Sequence, residues 1–192
     1  MRVYFYSNIG NHTALCQEIA CYLKETRSWT EFGIMTRTRR DLYDFLKKQK
    51  EIDYRYIDVI DHLYKEALNY EVSPDQILEW EKRLKCPLWH LVVADRNVGH
   101  MFVTGGVVPK TPIRNLTTHK NISRLVCYYL DFFEERFKSF KPDAVLIMCI
   151  ASLPALALAQ VCKWMNIPFF ALYSTRILDR YVIADNPFER FS

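Results

Sequence analysis

His12 is the residue whose sequence context best suits proton transfer. It lies in the stretch SNIGNHTALCQEIA, between the apolar run RVYFY and a segment with helical spacing. The first N–H groups of a helix have no partner inside it, and their partial positive charge disfavours an imidazolium, so we expect a neutral ring. A neutral imidazole beside a substrate hydroxyl can act as a general base. His12 is therefore the candidate catalytic base, with Gly10, Asn11 and Thr13 as candidate substrate contacts; alternatively, His12 only caps the helix.

Two later stretches carry further candidate substrate contacts. YSTRILDRYVIADN contains Arg176, Asp179 and Arg180, which could bind a sugar or phosphate with paired hydrogen bonds or could form a salt-bridged turn. VADRNVGH contains Asp95 and Arg96 at the start of a long irregular stretch. An ion-pair network at a helix end explains this second pair as well as a binding site does.

The run RTRR places Arg37, Arg39 and Arg40 directly after a predicted strand. These arginines could grip a phosphate or an acidic polysaccharide, or they could form a solvated face. The sequence has no GxGxxG fingerprint, no P-loop, no GxSxG elbow and no paired Cys/His metal spacing, so it predicts no metal site and gives little support to a dinucleotide site.

Composition limits the classes to which the chain can belong. Its 192 residues, half of them hydrophobic, predict one domain with a substantial core. A net charge of +4, without a recognisable nucleic-acid-binding module, argues against a nucleic-acid partner. Six cysteines without CxxC spacing indicate reduced thiols in a cytoplasmic protein. Pro154 interrupts the longest apolar run, which argues against a membrane span and leaves peripheral association with the inner membrane face open.

Apolar runs and helical segments alternate along most of the chain. The runs RVYFY, FGIMT, YRYIDVI, KPDAVLIMCI and IPFFALYS read as buried strands, followed by a short strand in TRILDRYVIADN. In the first helix, Leu15, Ile19, Tyr22 and Leu23 are expected to form the buried face. The pattern predicts one α/β, Rossmann-like domain over residues 1–192, with a mostly parallel sheet of five or six strands, helices on both faces and a helical insertion with a long loop at about 73–121. Because ligands bind at the carboxyl ends of such strands, we expect the early histidine and the late arginine-rich turn to face each other.

Several stretches resemble known glycosyltransferases. LEWEKRLKCPLWHLVVADRN, KPDAVLIM, NIPFFAL and TRILDRYVIADN, in this order, are similar to the N-terminal half of capsular or surface polysaccharide biosynthesis proteins. SNIGNHTALCQEIACYL resembles the first strand, loop and helix of two-domain glycosyltransferases of the GT-B architecture. The loop departs from that pattern, because Asn11 separates Gly10 from His12.

The resemblance implies an acceptor-side domain that binds a glycan. A C-terminal Rossmann-like domain would then bind the nucleotide-sugar donor, and this domain would bind no cofactor of its own. His12 would be the base in the cleft between the two domains, near Arg176, Asp179 and Arg180. On this interpretation, the chain is the N-terminal half of a longer protein and is catalytically incomplete alone. The alternative is a non-catalytic Rossmann-like or flavodoxin-like module that binds a nucleotide or a glycan.

Overall fold

The computed structural model describes residues 1–7, 10–37, 42–95, 98, 119–148, 150, 152–174 and 180–185. The six strands are β1 (Arg2–Tyr6), β2 (Glu31–Thr36), β3 (Tyr54–Val59), β4 (Ala144–Ile147), β5 (Phe169–Ser174) and β6 (Tyr181–Ala184). The helices are α1 (Gly10–Arg27), α2 (Leu42–Lys48), α3 (Ile60–Leu68), α4 (Pro74–Leu84), α5 (Trp89–Ala94), α6 (His119–Phe140) and α7 (Leu153–Trp164).

These elements fall into two compact units. The first comprises Met1–Asp61, Phe137–Ile150 and Asn166–Ser192, and the second comprises His62–Arg136 and Ala151–Met165. The second unit thus includes the region expected as a helical insertion, about 73–121, together with most of α3 and α6 and all of α7. Of the long loop expected before residue 121, Val98 and 119–121 are described, and the rest lies outside the described residues. That residues 1–192 form a single domain stays a prediction.

The first unit contains one six-stranded sheet in the order β3-β2-β1-β4-β5-β6. Strands β1 to β5 pair in parallel, and β6 pairs with β5 in the antiparallel sense. This is the strand order of the doubly wound Rossmann fold. The predicted Rossmann-like α/β fold with a mostly parallel sheet is therefore confirmed.

The sheet of the first unit is covered by helical residues on both faces. Val3 and Phe5 of β1 belong to one buried cluster together with Cys16 and Ala20 of α1. The Tyr4 side chain points to the opposite face, because successive strand residues alternate. There its ring packs edge-on against Phe137 at the end of α6, with 5.3 Å between ring centroids. Burial on both faces explains why the strand reads as an unbroken apolar run.

The buried face of α1 differs in part from the expected one. Cys16 and Ala20 are fully buried, and Leu15, Ile19 and Leu23 pack around them. Tyr22 is 60% exposed, so its placement on the buried face was wrong. At 100° per residue, Tyr22 lies well away from the line through Cys16 and Ala20.

In the second unit, the start of α4 and the break that follows it have local causes in the sequence. The hydroxyl of Ser73 accepts a hydrogen bond of 3.1 Å from the Gln76 N–H, and Pro74 is the first residue of α4. This is an N-cap followed by proline in the first turn. Pro87 separates α4 from α5, so the helical pattern restarts there.

Among the described residues, four that are not glycine adopt the left-handed backbone conformation, and each lies just after a helix. Ser28 follows α1, Lys85 follows α4, Lys141 follows α6 and Asn166 lies two residues after α7, all with φ between 53° and 55°. This conformation closes a helix, and glycine is the residue that adopts it most easily.

Candidate functional site

The candidate site lies within the first unit, at the edge of the sheet where β1 to β5 end. We call this edge the strand-end rim; it comprises Ser7, Arg37, Asp61 and Arg180 beside the strand ends and the first turn of α1. Ser7 and Arg37 directly follow β1 and β2. Arg180 belongs to the rim because β6 runs antiparallel and its first residue, Tyr181, pairs with the last residue of β5. Ligands of open α/β sheets bind along such an edge.

His12 is the third residue of α1 and is half-buried on the rim. Its Nδ1 atom is buried and has no hydrogen-bond partner within the described part of the chain. Burial lowers the pKa of the His12 imidazole from its ordinary value of 6.5. The ring is therefore neutral at pH 7, which is the protonation state that a general base requires. No hydrogen bond of a helix cap is recorded for this side chain among the described residues.

Thr13 is fully buried, directly after His12, in a cluster of hydroxyl groups. Its Oγ1 lies 2.8 Å from the Ser7 Oγ and 3.4 Å from the Thr36 Oγ1. The Ser7 N–H also donates to the carbonyl oxygen of Met35 at 2.9 Å. These bonds tie the start of α1 to the ends of β1 and β2, and so they fix where the imidazole stands. Thr13 thus positions its neighbour; its predicted contact with substrate stays a prediction, as do those of Gly10 and Asn11.

Arg37 and Asp61 lie at the ends of β2 and β3. The Arg37 Nε and the Asp61 Oδ1 are 3.6 Å apart, which is longer than a charge-assisted hydrogen bond. The Nε atom of Arg37 is buried without a hydrogen-bond partner among the residues described. Arg39 and Arg40 lie outside the described residues.

The structure describes one member of the arginine-rich turn proposed as a substrate contact. Arg180 is exposed at the rim, next to the end of β5. One strand, β4, separates β5 from β1, so the ends of these two strands are about 10 Å apart. Arg180 and His12 therefore stand along the same edge. Arg176 and Asp179 lie outside the described residues.

Asp95 lies in the second unit, where its carboxylate is almost fully buried. One oxygen accepts the Val98 N–H and the other accepts the Leu153 N–H, each at 2.5 Å. Leu153 is the first residue of α7, so the carboxylate satisfies a free N–H of that helix. This bonding gives Asp95 a structural function, and its contact with substrate stays a prediction. Arg96 lies outside the described residues.

Sequence reasoning missed the polar partners that complete the rim. Ser7, Thr36 and Asp61 were not singled out, although Ser7 and Thr36 stand at the ends of buried strands. A polar residue at the carboxyl end of an apolar run was the available signal. The pairing of these residues with one another depends on strand register, which the sequence pattern leaves open.

The part of the chain that the structure describes contains neither a cluster of metal ligands nor a membrane-spanning helix. No group of three or more His, Cys, Asp or Glu side chains there could hold a metal ion. No described helix is both long and apolar enough to cross a membrane.

Comparison with known proteins finds only weak structural similarity. No protein-family model and no curated protein matches the chain. Among solved structures, the UDP-GlcNAc 2-epimerase from Neisseria meningitidis bound to UDP-GlcNAc is similar, with 13% sequence identity and a TM-score of 0.46. The match covers 90% of this chain and 31% of the epimerase chain, so this chain spans about a third of that protein's length. The assignment of the fold rests on the strand order of the chain itself.

Proposed function

We propose that this chain is the acceptor-side domain of a GT-B-type glycosyltransferase that builds a surface or capsular polysaccharide from a nucleotide-sugar donor. The observation that carries the proposal is the neutral, half-buried imidazole of His12 at the strand-end rim. The stretches that resemble capsular polysaccharide biosynthesis proteins give the reaction its class.

In the proposed reaction, His12 takes the proton from an acceptor hydroxyl. The hydroxyl oxygen attacks the anomeric carbon of the donor sugar, the new glycosidic bond forms, and the bond to the nucleoside diphosphate breaks. The proton remains on the imidazole, and the negative charge leaves with the diphosphate. Since a lowered pKa makes an imidazolium a stronger acid, the proton is readily passed on and the base is regenerated.

The donor and its binding domain are partners in this proposal. A C-terminal Rossmann-like domain would hold the nucleotide sugar, while this domain binds the acceptor glycan through the rim. Arg180 stands at the rim, and we propose Arg176 and Asp179 as further contacts of the acceptor. The proposal puts the reaction in the cytoplasm or at the inner face of the membrane.

The test is transfer by the full-length gene product. The protein is incubated with a panel of nucleotide sugars and a glycolipid extract of the source cells, and release of nucleoside diphosphate and the mass of the glycan product are followed. We expect diphosphate release that depends on both donor and acceptor, with a product heavier by one sugar residue.

Two results would contradict the proposal. Binding of a glycan or nucleotide without turnover for any donor would support the alternative, a non-catalytic binding module. If a variant without the His12 imidazole still transfers sugar at the wild-type rate, another residue is the general base.

A further inference from the structure

We infer that Arg37 binds an anionic group of the acceptor, a carboxylate or a phosphate, at the ends of β2 and β3. This inference rests on the proposed function, and it adds a charge to the substrate: the acceptor is an acidic glycan. Two guanidinium groups, those of Arg37 and Arg180, lie on the described rim, and Arg37 is the one with a buried Nε atom that has no recorded hydrogen bond.

The first argument is the hydrogen-bonding state of this guanidinium. Arginine carries five N–H donors in a planar fork. The structure records no hydrogen bond from the Arg37 guanidinium to any described residue, and its Nε atom is buried. The carboxylate of Asp61, at 3.6 Å from Nε, attracts the charge without forming a hydrogen bond. A carboxylate or phosphate would accept two parallel hydrogen bonds from such a fork.

The second argument is the position of Arg37 relative to the candidate base. Arg37 follows Thr36, and the Thr36 Oγ1 lies 3.4 Å from the Oγ1 of Thr13, which follows His12. Arg37 is thus next to Thr36 in the chain, and His12 is next to Thr13. The hydroxyl groups of these two threonines contact each other. A sugar ring with an acidic substituent could present its anion to Arg37 and a hydroxyl to His12.

The third argument is a matched arginine at the opposite ends of the same two strands. Arg55, in β3, donates from Nη1 to the Glu31 Oε2 in β2 at 3.0 Å. The Arg55 side chain is 51% exposed, against 38% for Arg37. The more exposed arginine therefore has the better hydrogen bond, and the less exposed one has none. Removing N–H donors from water without a partner is unfavourable, and an anionic ligand would supply that partner.

Asp61 sets how strongly the anion binds. Its carboxylate is 28% exposed and lies beside the same guanidinium, so it repels an incoming anion while it orients Arg37. We expect a divalent phosphate and a carboxylate sugar to bind weakly as free ligands, and more tightly once this negative charge is removed.

The experiment follows the side-chain Nε–Hε NMR signals of arginine in the full chain during titration with inorganic phosphate, glucuronate and glucose. The variants are Arg37→Gln, Asp61→Asn and the matched control Arg55→Gln. We expect a saturable shift of the Arg37 signal with phosphate or glucuronate and none with glucose. Because Arg37→Gln lacks this signal, affinity in all variants is also followed from the backbone amide signal of Thr36. It should fall about tenfold or more in Arg37→Gln, stay unchanged in Arg55→Gln and rise in Asp61→Asn. If phosphate shifts Arg37 and glucuronate does not, the anion is a phosphate; the reverse result identifies a sugar carboxylate.

Equal shifts at Arg55 and Arg37, or no shift at Arg37 with either anion, would overturn the inference. The transfer assay separates it from the proposed function. If the full-length protein transfers sugar and Arg37→Gln raises KM for acidic and neutral acceptors alike, the acidic-acceptor inference fails and the glycosyltransferase stands. If there is no transfer but Arg37 alone binds the anion, the anion site stands and the transferase fails.

Discussion

The two ends of the strands of one sheet differ in how completely their polar groups are bonded. At the amino end, the Arg2 N–H donates to the Asp143 Oδ2 at 2.7 Å, and the Asp143 N–H donates to the Arg2 carbonyl at 2.8 Å. Arg55 and Glu31 are hydrogen-bonded there as well. At the carboxyl end, His12 and Arg37 keep buried nitrogen atoms without a hydrogen bond among the described residues.

The difference shows that polar side chains without hydrogen bonds lie at the carboxyl ends of these strands and not at the amino ends described above. Among the described residues, four buried side-chain nitrogen atoms have no recorded hydrogen bond: two lie along this edge and two lie in α6. Buried polar groups in folded proteins are nearly always hydrogen-bonded, so the pair along one edge calls for an explanation. A ligand that accepts from arginine and gives a proton to imidazole is one explanation. The following experiments test whether the two ends of the strands differ in function as they do in bonding.

The largest effect is expected from His12→Ala at the carboxyl end. If His12 is the general base, turnover by the full-length protein should fall by roughly 10²–10⁴-fold, while the midpoint of thermal unfolding changes little. His90→Ala is the matched control, because His90 is an exposed histidine in the second unit. A His12→Ala variant that loses stability in proportion to activity would show that the imidazole is structural.

A smaller effect, on stability, is expected from Thr13→Val. Valine keeps the shape of threonine but leaves the buried hydroxyl groups of Ser7 and Thr36 with one partner fewer. We expect the free energy of unfolding to fall by about 1–3 kcal/mol in urea denaturation. Thr26→Val, on the exposed side of the same helix, should change it much less. If both variants lost the same free energy of unfolding, the hydroxyl cluster would not be what holds the start of α1 in place.

The pH dependence of stability should show the lowered pKa of His12. Because the pKa in the folded state lies below its ordinary value of 6.5, the unfolded chain takes up this proton first as the pH falls. The contribution of neutral His12 is therefore complete above about pH 6.5 and is lost below it. We expect the wild-type free energy of unfolding to fall more than that of His12→Gln between pH 7.5 and about pH 5.5. Parallel curves for the two proteins would mean that the imidazole is not desolvated.

The smallest effect is expected at the amino end. Arg55→Gln breaks an exposed ion pair, and such pairs contribute less than about 1 kcal/mol. Chemical denaturation should show a change within that limit, and sugar transfer should be unaffected. A loss of transfer in this variant would place function at the amino end and reverse the comparison.

The sheet could be predicted from the sequence because its central strands are buried on both faces. RVYFY and FGIMT therefore appear as unbroken apolar runs, and the helical spacing between them supplied the crossover. Tyr22 could not be placed, since α1 carries apolar residues on more than one side and two stripes satisfy the same spacing. The choice between them was made by packing against Val3 and Phe5 in the folded sheet.

The site was predictable only in part, because its geometry comes from contacts that are distant in sequence. His12 was singled out from its position before a helix. The bond between Asp95 and the N–H of Leu153 joins residues 58 positions apart, and no local pattern shows it. The Arg37–Asp61 pair depends likewise on the alignment of β2 with β3, which includes a register shift after Phe32.

The left-handed residues that follow four of the described helices are positions at which substitution could raise the stability of the protein. All four are exposed. Asparagine tolerates this conformation better than most residues, whereas Ser28, Lys85 and Lys141 carry side chains in a conformation that glycine adopts without strain. Glycine at these three positions should together raise the midpoint of thermal unfolding without altering the rim. The stabilised variant would stay folded during long titrations and at higher assay temperatures, and its strand-end rim would be unchanged.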